Sequence, residues 1–472
     1  MGNVRWRLAA AMIGASLLAT GAMASDKLKY PESKRIDVVE EYHGEKVVDP
    51  YRWLEDDVRV NKDVAAWVAE QNKVTGSYLE TIPQRAAIKK RLTELWNYER
   101  YTAPNKIGGR YFFSKNDGLQ NQSVLYVQDS LDAPAKVLLD PNKLSKDGTV
   151  ALAGMAFSDD AKYLAYAVAV AGSDWTTWKV LDVATGANLS DEIKWVKFAG
   201  ASWTKDGRGF FYSRYPEPKQ GATFQSLNVD QKLYYHRLGS PQSDDVLVHE
   251  RPDHPRWSVG GEVTEDGRYL VIEIGDGTTS RKSAVYVKDL AEPYGMPVAV
   301  IPHQNNKWTP IANDGPIFYF LTEFKAPKNQ VLAIDIREPD PKNWKTIVPE
   351  GKDVLQSVGC VAGMFVCEYL QDAKSMVKIH GMDGRFIRDV ELPGIGTAGG
   401  FGGKRTDIET FYTFSSFATP PSIFRYDLIT GKSELFRAAK VKFDPADYEV
   451  KQVFFPSKDG TKIPMFIAHK KG

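Results

Sequence analysis

The sequence predicts a mainly β fold: a seven-bladed β-propeller behind an N-terminal helical arm. Three observations carry that expectation. A unit of small turn, alternating strand, variable loop and second alternating strand recurs about seven times between residues 105 and 440. The copies are spaced roughly 45–60 residues apart, near the period of propeller blades. Aromatic residues make up 12% of the 472-residue chain, which favours strands over helices.

Bulk composition narrows the class further. The hydrophobic fraction is 43% and the charged fraction 26%, ordinary for globular protein and incompatible with a disordered, collagen-like or coiled-coil chain. A net charge of +1 gives no reason to expect a nucleic acid or an anionic membrane surface as partner. Two cysteines exclude a disulfide framework and a four-thiolate zinc site.

Taken in order, residues 1–24 read as a secretory signal. Arg5 and Arg7 precede an apolar run from Leu8 to Leu18, and small residues end in Ala22-Met23-Ala24. Cleavage after Ala24 is expected, with export to the periplasm if the source is Gram-negative, and no membrane attachment afterwards; a retained anchor is the alternative. Losing two arginines and no acid leaves the mature chain at −1.

Residues 25–104 read as an extended arm followed by helices. Val64, Trp67, Val68, Val74, Tyr78 and Leu79 recur at helical spacing. Pro83 is placed to open a second helix, where its missing N–H costs nothing, with a stripe of Ile88, Leu92, Leu95 and Trp96. The Trp67 and Trp96 stripes need a partner surface.

The repeating region, 105–440, follows. Asp206-Gly207-Arg208 precedes the strand through Tyr212, which pairs with a strand through Leu233 and Tyr235. Asp266-Gly267-Arg268 does the same before Val271 and Val285. Each unit can bury its strands only against its neighbours, so the units must stack, and a closed ring leaves few exposed edges. A pair of β-sandwiches would also show short regular strands; the recurring Asp-Gly-Arg turn favours the ring.

Residues 441–472 change again. Asp444-Pro445-Ala446-Asp447 breaks the pattern, Tyr448 to Phe455 alternates, Lys458-Asp459-Gly460 turns, and Ile463 to Ala468 forms a second strand. Two strands without a sheet are not independently stable, so this pair reads as the first strands of a further, incomplete domain.

A search for reaction chemistry finds little. There is no G-x-S-x-G nucleophile elbow, no H-E-x-x-H and no Cys/His cluster with zinc spacing. Gly399-Gly400-Phe401-Gly402-Gly403-Lys404 lacks the Walker spacing and reads as a flexible loop. Seven histidines are scattered through different units and read mostly as surface or internally satisfied groups, although a Ser–His–Asp arrangement is defined in space rather than in sequence. Cys360 and Cys367 flank the Ala362-Gly363 turn, which sets them diagonal and favours a buried free pair over a bridge. No metal or organic cofactor is suggested.

Several segments together resemble the prolyl oligopeptidase family of serine peptidases, in particular an exported bacterial member. They are Tyr42-His43-Gly44-Glu45-Lys46-Val47-Val48-Asp49-Pro50-Tyr51-Arg52-Trp53-Leu54-Glu55-Asp56, Gly172-Ser173-Asp174-Trp175, Val196-Lys197-Phe198 and Gln231-Lys232-Leu233-Tyr234-Tyr235-His236. Asp372-Ala373-Lys374-Ser375, Phe414-Ser415-Ser416-Phe417 and Val453 through Phe466 continue the match over nearly the whole mature chain. The resemblance implies a seven-bladed propeller capping an α/β-hydrolase domain and cleavage of short peptides after proline. A monomer is expected. It places the Ser, Asp and His beyond Gly472, so no catalytic residue is carried over. It assigns Phe198 to the subsite for residues upstream of proline, the alternative being a core aromatic of the blade. A basic contact of animal members has no counterpart in Ile274-Gly275-Asp276-Gly277-Thr278, which leaves the preference at that subsite open. It also implies first and last blades that are not latched together, so that blade separation or a hinge near residues 100 and 445 would gate access. A non-catalytic peptide-binding propeller and an oligopeptidase of other specificity are the competing readings.

Overall fold

A computed structural model of the chain describes residues 28–219, 223, 226–277 and 282–472. The expected signal segment, 1–24, lies outside the described residues. The chain forms two compact units, one ending at Lys89 and one from Lys90 to Gly472.

In the first unit, the extended arm contains a hairpin, Val39–Tyr42 with Glu45–Val48. His43 and Gly44 both take positive φ (+52° and +84°), as a two-residue primed turn requires. Helix α1, Lys62–Glu80, starts at Asn61, whose side chain accepts from the backbone N–H groups of Asp63 and Val64. Trp67 does not seek an outside partner. Its indole N–H donates to Ser33 Oγ at 2.9 Å and its ring meets Trp53 edge-on at 6.5 Å. Helix α2, Arg85–Trp96, begins two residues later than Pro83 predicts, because Pro83 sits in the connecting turn. Its stripe is open to water: Ile88, Leu92 and Trp96 are 54%, 52% and 62% exposed.

In the second unit, seven antiparallel sheets follow one another and make a seven-bladed propeller. They occupy residues 100–139, 150–196, 201–249, 257–301, 308–348, 354–389 and 397–437. Each has four strands in chain order, except that the first strand of blade 1 is split into Arg100–Tyr101 and Asn105–Ile107, both paired with Arg110–Asn116. The two strands recognised in each sequence repeat are the middle pair of each blade. The first and fourth strands of the blades are not delimited by the repeat pattern.

The turn after each first strand explains the Asp-Gly-Arg signature. Asp206 accepts from the Thr204 hydroxyl and the Arg208 N–H, and Asp266 does the same for Thr264 and Arg268. Gly267 is required twice over, by a φ of +73° and because a Cβ there would lie 2.4 Å from Lys205 Cβ in the neighbouring blade.

Blades are held face to face by apolar clusters. Six interfaces, from blade 1–2 through blade 6–7, each bury seven to eleven hydrophobic residues. The seventh, between the last blade and the first, buries three: Tyr111, Phe411 and Ile423. No strand is shared across it among the described residues. The seam is held instead by side chains. Tyr111 donates to Glu409 at 2.7 Å, Lys106 pairs with Asp407 at 3.5 Å, and the Arg437 guanidinium lies 3.9 Å from the Tyr101 ring centroid.

Two local readings are settled here. The glycine run is a strand rather than a flexible loop: Thr397–Gly402 is the first strand of blade 7, bulged between Gly399 and Gly402, with Gly400 at φ +112°. Cys360 pairs in register with Phe365 and Cys367 with Val358, so the two are diagonal, buried and free. Burial pushes the Cys360 thiol up to about 11 and the Cys367 thiol up to about 12, which leaves both inert at neutral pH. The last two strands, Tyr448–Pro456 and Lys462–Lys470, pair only with each other.

Candidate functional site

The first strand of each blade lines an axial channel, as the contacts between distant blades show. Lys404 of blade 7 pairs with Asp159 of blade 2, which also takes Lys205 Nζ of blade 3 at 2.9 Å. Lys205 donates to the Glu265 carbonyl of blade 4 at 2.8 Å. The Arg405 N–H donates to Glu265 Oε1 at 3.0 Å, and its guanidinium pairs with Asp314 of blade 5 at 2.6 Å. Turns from five blades meet in this way only if they converge on the axis. Burial disfavours the Asp159 carboxylate, but Lys404 and Lys205 outweigh it and hold the carboxyl below its usual range. The network closes one end of the channel.

Phe198 lies at the opposite end, in the connection from blade 2 to blade 3. The backbone there is unusual: Trp195 has φ +65° and Phe198 φ +54°. A packed frame fixes it. Trp175 meets Trp195 edge-on at 5.7 Å and Tyr215 at 6.3 Å. Lys197 is buried with its ammonium 4.1 Å from the Trp175 ring centroid, and donates to Asn228 Oδ1 at 3.2 Å. Burial pushes that ammonium down, with Asp174 opposing. Gln231 then bridges the connection to blade 4: its amide donates to the Lys197 carbonyl at 3.2 Å, and its Oε1 accepts from the Val259 N–H at 3.0 Å.

On this frame Phe198 is 56% exposed, so it is no part of a blade core. It rims a cavity of about 520 Å³ that reaches Ser202, Gly260, Glu262, Glu273 and Lys307. A second cavity of about 500 Å³ shares Glu262 and Val271 with the first and runs to Lys205, Glu265 and Arg405. Together they run along the inner strands of blades 3 to 5, from Phe198 to the ion pairs of Lys205, Glu265 and Arg405. Gly275, in the segment that lacks the basic contact of animal members, lines the first cavity without a side chain.

Sequence reasoning did not find the carboxylates of the wall. Glu262 and Glu273 stand on paired strands of blade 4, Glu262 opposite Val271 and Glu273 opposite Gly260, so both face the channel. The available signal was a lone charge in Leu270-Val271-Ile272-Glu273-Ile274. Burial, then repulsion from Glu262, pushes the Glu273 carboxyl up to about 7, while Lys307 pulls the other way. Glu262 is exposed to the channel water, and desolvation by the walls around it still raises its carboxyl.

No histidine forms a triad with a serine among the described residues. His236 is fully buried with Asp245 Oδ1 2.6 Å from Nδ1 and Asp191 Oδ1 3.0 Å from Nε2. Tyr212 donates to the other oxygen of Asp245. This joins the outer strand of blade 2 to blade 3 and offers no nucleophile.

Residues 30–439 match the family described as prolyl oligopeptidase, N-terminal β-propeller domain. The chain belongs to the prolyl oligopeptidase family. It is 40% identical to the prolyl endopeptidase of Elizabethkingia miricola over 466 residues, covering 99% of this chain and 65% of that protein. Prolyl oligopeptidase A of Amanita bisporigera is 33% identical, with 94% and 62% covered. Among solved structures, one from a structural and mechanistic study of two prolyl endopeptidases aligns with a TM-score of 0.72 at 41% identity, covering 93% of this chain and 63% of its own. Prolyl oligopeptidase B of Galerina marginata, bound to a 35-residue hydrolysis and macrocyclisation substrate, aligns with a TM-score of 0.82 at 32% identity, covering 94% and 65%. The chain thus spans a little under two thirds of the length of the relatives it matches. The matched part is the propeller region, in keeping with the missing nucleophile elbow.

Proposed function

We propose that this chain is the arm and propeller of a monomeric serine endopeptidase that cleaves short peptides after proline and is exported to the periplasm once residues 1–24 are removed. Acyl transfer would be performed by a Ser–His–Asp set carried on a hydrolase domain that these 472 residues do not contain. The arm, the strand pair after Asp447 and the propeller would close over that domain. The observation that carries the reading is the channel with one open end. A peptide can be admitted beside Phe198, a folded protein cannot, and Arg405 with its partners prevents passage through the far side. The propeller then selects by size and encloses a dry reaction space, with Phe198 as an apolar contact for the residues upstream of proline.

The first measurement is the mass of the native product in the exported fraction of its source. A mass above 52.8 kDa by roughly one 250-residue domain, with cleavage of a proline-linked chromogenic peptide, is the expected result. A product slightly below 52.8 kDa without such cleavage would leave a non-catalytic peptide-binding propeller. Within the chain, Phe198→Ala is expected to weaken proline-peptide binding several-fold, by loss of one exposed ring, with an unchanged unfolding midpoint.

A further inference from the structure

The charges on the channel wall are ordered along the axis. Lys307 immediately precedes the first strand of blade 5, Trp308–Asp314, and Lys282 immediately precedes the third strand of blade 4, Ser283–Asp289. Both strands start at the open end, so these lysines mark the mouth. Glu273 lies deeper, opposite Gly260, three residues into the first strand of blade 4. Glu262 lies two residues deeper again, about 7 Å further at the rise of a strand. Beyond Glu262 comes the ion-paired closure, in which Glu265 and Asp314 already have Arg405. Among the described residues, Glu262 and Glu273 have neither a hydrogen bond nor an ion pair, and they share a water-accessible cavity with Phe198.

A carboxylate pair kept in a confined channel is destabilised by its own repulsion, and Lys307 at the mouth offsets only part of it for Glu273. A cation placed between them relieves that repulsion, and the lysines at the mouth favour the carboxyl side of the same ligand. We propose that Glu262 and Glu273 form a subsite for a positively charged group of the peptide, either its terminal ammonium or a Lys or Arg side chain, held with the amino end towards the closed end of the channel. This rests on the reading of the channel as a peptide passage. It makes the preferred substrates short peptides that are cationic on the amino side of the cleaved bond.

The test is calorimetric titration of the 472-residue chain at pH 8 and low salt, where Glu273 is ionised. Three proline-containing pentapeptides are compared: one with a free amino terminus and no lysine, one N-acetylated with lysine near its start, and one N-acetylated and neutral. At least one charged peptide is expected to bind about tenfold more tightly than the neutral one, the scale of a single partly screened charge contact. That advantage should vanish in the Glu262→Gln, Glu273→Gln double variant, with neutral-peptide affinity unchanged. A gain for the free amino terminus alone identifies the ammonium as the preferred group, and a gain for lysine alone identifies the side chain. Equal binding of all three, or an advantage that survives in the variant, overturns the subsite and leaves the peptide channel standing. Absence of binding by any peptide, the neutral one included, overturns both. The variant's unfolding midpoint, expected at or above that of the parent at pH 8, excludes misfolding as the cause.

Discussion

His236 sits between two carboxylates and out of reach of water, so its imidazole is worth most when protonated. Burial works against the charge, but Asp191 and Asp245 outweigh it and raise the group to about 9. Because the folded value lies above the unfolded value near 6.5, the stabilisation is complete below about pH 6.5 and is lost as pH rises through 9. Denaturant titrations of the parent and of His236→Gln should therefore differ by about 3 kcal/mol at pH 6, where two buried carboxylates lose their cation, and by less at pH 10. A constant difference across that range would contradict a protonated histidine. Glu273 shifts in the same direction for a different reason, since burial favours its neutral form. Its carboxyl is raised to about 7, so folding is favoured below the unfolded value near 4.5 and weakened as pH climbs through 7. Glu273→Gln is expected to gain on the order of 1 kcal/mol over the parent at pH 8, after allowing for channel water, and nothing at pH 4. At this scale the sequence was a partial guide. Phe198 could be singled out from its motif, but Glu262 and Glu273 could not, because what distinguishes them is enclosure by three blades that meet only in the fold.

At the scale of elements, legibility followed burial. The middle strands are sandwiched between neighbours and read as short apolar runs, as in Phe318-Tyr319-Phe320-Leu321, so they stand out from the loops around them. The first strands face channel water on one side and make room with small residues. Gly154 is needed because a Cβ there would lie 3.1 Å from the Trp178 ring, and Thr397–Gly402 holds three glycines. Most fourth strands have only four or five residues, too few to show a period. The helices show the reverse problem: both were legible as amphipathic, yet only α1 has found cover for its tryptophan. The open Ile88–Leu92–Trp96 stripe is an apolar surface along one face of a helix. The isolated chain is expected to brighten an apolar-sensitive dye and to self-associate with rising concentration. Leu92→Glu with Trp96→Glu should abolish both without lowering the unfolding midpoint. A dye-silent, monodisperse parent would show that the stripe is covered.

For the whole molecule, the ring is uneven. Six joints are dense apolar cores and the seventh rests on Tyr111, Phe411, Ile423 and a few polar contacts, with no strand carried across. If access to the interior requires the blades to part, this joint is where they part. Bridging Lys106→Cys and Asp407→Cys with a short thiol cross-linker, in the enzyme that carries the hydrolase domain, is expected to slow turnover of peptides at least severalfold and to be reversed by cleaving the linker. Unchanged turnover would move the gate to the hinge segments near residues 100 and 445. The repeat count, and with it the closed ring, could be read from the sequence because every blade repeats the same pair of apolar middle strands, in two blades behind an Asp-Gly-Arg turn. The weakness of one joint could not, since it depends on which residues from opposite ends of the chain come to face each other. There is a mechanical corollary. The polypeptide enters the ring at blade 1 and leaves it at blade 7, so both ends emerge beside the thinnest joint, as at the cut in a split washer. A force that draws the flanking segments apart loads Tyr101 and Arg437 first and then Tyr111 and Glu409, and small displacements there would be levered into opening of the whole circumference while the other six joints stay intact.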